Sequence, residues 1–87
     1  MKTYLNSSKL IQYTLRMPKN YSAFFYFTME SNEGVGFYST LPDSLGKLYR
    51  DIQVRMSPEM EEHFLNILSH CKKNADIEVL ESSTLDD

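Results

Sequence analysis

Two histidines, one cysteine and a knot of glutamates are the residues of this chain best equipped for chemistry. His63 and His70 stand seven residues apart, two turns along one side of a helix, and Cys71 follows the second. Two helical side chains that converge on one ion are spaced three or four apart. A spacing of seven separates the rings by ~10 Å along the axis, beyond the reach of a single ion. Both histidines therefore read as surface residues. Cys71 falls at an apolar helical position, where a thiol behaves as a small buried hydrophobe rather than a nucleophile. Glu59, Glu61 and Glu62 crowd the first turns of the same helix, and the positive end of the helix dipole accounts for them. Acid–base catalysis asks for two carboxylates in a concavity with separated pKa values, which this solvated face does not offer. Gly34-Val35-Gly36 lacks the third glycine and the following helix of a phosphate loop. No Ser-His-Asp or Cys-His set has supporting local context. The chain is expected to be non-enzymatic, with no metal and no cofactor.

The elements that must position any other site are clearer. From Lys9 the chain alternates, with Ile11, Tyr13, Leu15 and Met17 on one face and Gln12, Thr14 and Arg16 on the other. Period two with β-branched and aromatic members is a half-buried strand, which Pro18 ends. Tyr21 to Phe27 then holds five of the eleven aromatic residues of the chain. As a strand it has β-propensity but no alternation; as a helix over residues 19–31 it puts Tyr21, Phe24, Phe25 and Thr28 on one stripe. Pro18 and Gly34 bracket a stretch too long for an ordinary strand, so the helix is preferred. Asn20 is its expected cap, and Asn32 or Gly34 its stop.

Gly34 and Gly36 open a second alternating segment with Val35, Phe37 and Leu41 on one face. Pro42-Asp43-Ser44-Leu45-Gly46 is a turn, and residues 47–56 form the clearest strand, with Leu48, Ile52, Val54 and Met56 on its apolar face. Arg50 falls on that face too, which places it at the end of the sheet or beside a bulge. Ser57-Pro58-Glu59 starts a helix, and Met60, Phe64, Ile67, Leu68 and Cys71 form its stripe. Residues 76–80 read as a short edge strand. Residues 82–87 read as a disordered acidic tail and residues 1–8 as a loose arm, leaving one domain over residues 9–81.

Length and charge bound the rest. With 87 residues there is room for one small core. A net charge of −3 argues against a nucleic-acid partner, because phosphate binding normally leaves a basic footprint. A single cysteine excludes an internal disulfide framework and fits a reducing compartment. No apolar run approaches the ~20 residues of a membrane span, and the first residues lack the apolar core of a secretory signal. The expected setting is cytoplasmic, with no membrane.

Strand, helix, strand, strand, helix, strand is the succession of the ferredoxin-like βαββαβ fold: α+β, a four-stranded antiparallel sheet with two helices on one face. The other sheet face would present Arg16, Tyr49, Asp51, Gln53 and Arg55, with Tyr38 on a neighbouring strand. Lys47 to Val54 does not match the RNP1 pattern of RNA-recognition domains on this topology, and Asp51 would repel phosphate. A single-stranded nucleic-acid binder using that face is the third reading. The first is a self-associating interaction or regulatory module. It rests on the surplus aromatics of the first helix, with Ala23, Tyr26, Phe27, Tyr38 and Tyr49 as expected interface residues.

Glu30-Ser31-Asn32-Glu33-Gly34, Thr40-Leu41 and the helix start at Ser57-Pro58-Glu59 carry a resemblance to a family. Over residues 17–71 the chain resembles small uncharacterised bacterial domains of ACT-like, ferredoxin-type topology. The resemblance supports the fold and adds no catalytic residue. By analogy it implies pairing and a second reading, a sensor of an amino acid or similar small ligand. That ligand would sit at a subunit seam near Glu33, Gly34 and Gly36, with Arg16 and Arg55 as further contacts.

Overall fold

The computed structural model describes residues 9–32 and 34–86. The arm expected over residues 1–8, Glu33 and Asp87 lie outside the described residues. Strand β1 (Lys9–Pro18) runs into helix α1 (Lys19–Ser31), strand β2 (Phe37–Thr40) and strand β3 (Tyr49–Met56). Helix α2 (Glu61–Lys72) and strand β4 (Glu78–Asp86) complete the chain. The strands form one antiparallel sheet in the order β2-β3-β1-β4, and both helices pack on the same face. This is the α+β, ferredoxin-like arrangement that the order of elements implies.

The alternation of β1 does the sorting. Tyr13, Leu15 and Met17 enter the core, where they meet Ile52, Val54 and Met56 of β3 across the ladder. Phe25 and Met29 close over them from α1, and Phe64, Ile67, Leu68 and Cys71 from α2. Arg50 lies at the end of the sheet, as its position on an apolar face required, and its guanidinium donates to the carbonyls of Ser44 and Lys47.

Four details depart from the sequence pattern. Helix α1 starts at Lys19, directly after Pro18, with no side-chain cap; Asn20 is an exposed residue of its first turn. The carbonyl of Leu48 accepts from the Lys19 N–H at 2.9 Å, so a distant loop satisfies a donor that a local cap would normally take. Leu48 is consequently 90% exposed rather than part of the apolar face of β3.

The buried stripe of α1 is Ser22, Phe25 and Met29, turned away from Tyr21, Phe24 and Thr28. Ser22 lets the helix approach the sheet, and its hydroxyl donates to the Lys19 carbonyl at 2.8 Å, so burial leaves no unpaired polar atom.

Phe37 pairs with Arg55 on the open face of the sheet and is 83% exposed, while Tyr38 pairs with Val54 on the helical side. The alternation slips at Gly36, which lies so close to β3 that a Cβ there would stand 2.4 Å from the Arg55 carbonyl oxygen.

Finally, β4 runs through Asp86, so the expected tail is strand over its described part. The outer edge of β1 offers an unpaired ladder from Lys9 to Arg16, and backbone pairing needs no apolar side chains. A one-residue shift at Leu80, between the Thr14–Glu81 and Leu15–Val79 pairs, bulges the strand midway.

Gly36→Ala is expected to destabilise the fold by about 1–3 kcal/mol, because the obstacle is β3 backbone and cannot swing aside. Chemical denaturation measures it.

Tyr13 provides a second test. Its buried hydroxyl donates to Glu61 Oε2 at 2.5 Å, tying the first residue of α2 to β1, and its ring lies 5.1 Å from that of Phe64. The Glu61 carboxylate first, then burial, pushes the phenol up from near 10 to about 12. A folded-state pKa above the unfolded one contributes stability that is complete below pH 10 and is lost as pH rises toward 12. Unfolding titrations should therefore show stability falling over this window, with a shallower fall in Tyr13→Phe.

Candidate interaction surface

The open face of the sheet is built on directly opposed pairs. Arg16 and Asp51 face each other across β1 and β3, and their side chains join in a fork, Nε to Oδ1 at 2.8 Å and Nη2 to Oδ2 at 2.9 Å. The same guanidinium lies 4.0 Å above the Tyr49 ring. Bonding to Asp51 holds the Arg16 charge more firmly than usual. Four positions along the ladder, Arg55 Nε donates to Gln12 Oε1 at 2.7 Å. On the β4 side, Thr14 Oγ1 and Glu81 Oε1 approach to 3.5 Å, and Glu78 is the register partner of Arg16. Long side chains thus roof the strand beneath them, and Gln12 and Thr14 are each only 7% exposed.

This roof has little affinity to spare for phosphate. Two guanidiniums, Arg16 and Arg55, share the face with three carboxylates, Asp51, Glu78 and Glu81. Both arginines already have partners. They are also four positions apart along the ladder, about 13 Å, so they do not converge on one small ligand. Gly36 belongs to the approach to β2 and Gly34, at φ +86°, to the turn after α1. The residues expected to hold a small ligand are therefore not gathered into one concavity among the described residues, and Glu33 lies outside them.

The aromatic surplus of α1 divides differently from the expected division. Tyr26 is half-buried: its hydroxyl is hydrogen-bonded to Thr40 and its ring stacks on Tyr38, with centroids 5.3 Å apart and planes 18° apart. Tyr38 in turn donates to Glu30 Oε2 at 2.5 Å, and that carboxylate raises the phenol pKa. Tyr26 and Tyr38 are committed to holding α1 over β2, and Tyr49 lies under Arg16. Phe24, placed in the core by periodicity, is 52% exposed, and Phe27 is 68% exposed. Ala23 is exposed beside them. Positions 23, 24 and 27 share one side of a helix, so the outer face of α1 is a bare aromatic ridge. Between Lys19 and Glu30 it carries no charge.

Phe24 and Phe37 are the surface aromatics that periodicity missed. In α1 every stripe contains an aromatic, so period alone could not choose the buried one. For Phe37 the only signal was Gly36, a residue that permits close backbone approach.

His63 and His70 are exposed on α2, and Cys71 is buried, as their positions on the helix required. Among the described residues no helix is long and apolar enough to cross a membrane. Comparison with family models, curated proteins and solved structures returns no match.

If Tyr26 is structural, Tyr26→Phe should cost about 1 kcal/mol in chemical denaturation through the lost hydroxyl pair, and should leave self-association unchanged.

Proposed function

We propose that this domain is a non-catalytic interaction module that pairs with a second copy of itself through the outer face of α1. The observation that carries the reading is the exposure of Phe24 and Phe27 on a helix whose core contacts are already complete without them. Single exposed apolar residues are ordinary, but two neighbouring phenylalanines beside an alanine on an uncharged helical stretch form a patch. An antiparallel arrangement of two such helices about a two-fold axis sets the small Ala23 opposite the second copy's Phe27. The same arrangement brings Lys19 near the second copy's Glu30, which are the charges at the two ends of the ridge. The resemblance to ACT-like domains, which commonly pair, agrees by analogy. One helix pair belongs among small interfaces, below ~1,200 Å² in total, so a weak, concentration-dependent dimer is the form to look for.

Sedimentation velocity across a concentration series is the test. The wild-type chain should pass from monomer to dimer, and Phe27→Glu should weaken association at least ~10-fold, the effect of removing a central aromatic anchor. Phe27 is on the surface, so the variant should keep its fold. A chain that stays monomeric into the high micromolar range would sink the reading.

A further inference from the structure

The helical layer is not closed. Between α1 and α2 runs a cleft of about 490 Å³, within the range of ligand sites. Tyr21, Phe24, Thr28 and Asn32 line it along one side of α1, and His63, Asn66, His70 and Asn74 are among the residues of α2 that face them. From Tyr21 to Asn32 is eleven residues of sequence, so the cleft runs about 16 Å along α1.

Its lining is chemically selective. Charged residues make up 24% of the chain, yet among the described residues no aspartate, glutamate, lysine or arginine lines this cleft. Polar contact comes instead from three carboxamides, two imidazoles and a threonine hydroxyl, above an apolar floor that includes Ile67 and the tilted Tyr21–Phe24 ring pair. Two of the carboxamides are already oriented. Asn32 donates through Nδ2 to the Thr28 carbonyl at 2.8 Å, and Asn74 through Nδ2 to the His70 carbonyl at 3.3 Å. Each amide thereby caps its own helix and keeps its oxygen available as an acceptor. Asn66 stands exposed between these two ends. At the Asn74 end the Tyr21 hydroxyl is buried between the Cys71 thiol and the Asn74 side chain, without a hydrogen bond of good geometry.

We infer that this cleft is a binding site for an uncharged peptide segment in extended conformation. About five extended residues span 16 Å. Their N–H groups meet the fixed oxygens of Asn32 and Asn74, and their amides match Asn66, which offers both a donor and an acceptor. One apolar side chain covers Phe24 and Ile67. A charged peptide side chain would lose water here without gaining a partner. The site shares Phe24 with the pairing ridge but takes Asn66 and Asn74 from α2 and its end, so its test is read on those amides rather than on association.

The test is a titration of the full isotope-labelled chain, followed by NMR, with blocked pentapeptides acetyl-Ala-Ala-X-Ala-Ala-amide in which X is Leu, Lys or Glu. With X as Leu, the side-chain amide signals of Asn32, Asn66 and Asn74 should move and saturate, and the Lys and Glu peptides should bind at least ~10-fold more weakly. Asn66→Ala, a surface change that keeps the fold, should weaken the Leu peptide by a similar factor. The inference is overturned if the Leu peptide leaves these signals unmoved at millimolar concentration, if all three peptides bind alike, or if maltotriose moves them and the Leu peptide does not.

Discussion

The ladder between β1 and β3 is the constraint on which the rest of this structure depends. It joins residues 11–18 to residues 49–56, so the loop it closes contains all of α1 and β2. Its two faces are occupied by opposite chemistries held in one register. On the helical side Leu15 faces Ile52 and Tyr13 faces Val54; on the other, Arg16 faces Asp51 and Gln12 faces Arg55. Directly opposed cross-strand pairs each contribute roughly 0.2–1 kcal/mol, and a slip of one residue would exchange core for solvent on every one of them. That is why both helices find a continuous apolar floor and why the opposite face is self-satisfied.

Self-satisfaction of that face changes where function should be sought. An open sheet in this fold invites a ligand, but here Arg16 is clamped by Asp51 and stacked on Tyr49, and Arg55 is held by Gln12. The unspent groups lie on the helical side. Helix α1 closes the core with Ser22, Phe25 and Met29 and ties itself to β2 through Tyr26 and Tyr38, leaving Phe24 and Phe27 outside. A small domain exposes apolar rings at a cost in solubility, and among the described residues Phe27 stands outside the core while Phe24 packs against Tyr21 with half its surface bare.

The two sheet edges differ in the same sense. β4 is bulged at Leu80 and lined with Glu78 and Glu81, features that discourage strand addition. β2 is short and carries no charge. The molecule thus protects its long edge and leaves its aromatic helix bare.

The amino-acid sequence by itself determined the order of elements, and with it the fold class, because period-two and period-3.6 patterns are local properties. It determined the core face of β1, the stripe of α2 from Phe64 to Cys71, and the place of Arg50 at the end of the sheet. It also marked α1 as the element with too many aromatics. Only the tertiary structure decided which of those aromatics are buried. Every side of α1 is apolar enough to face a core, so the choice fell to what stood beneath it: Ser22 allowed close approach, and Thr40 and Tyr38 received Tyr26. The length of β4 was hidden for a related reason. Ser82, Ser83 and Thr84 have no hydrophobic period to read, and their strand exists because β1 offers backbone partners. Burial patterns are written in side chains; pairing partners and packing neighbours come from elsewhere in the chain, and only folding brings them together.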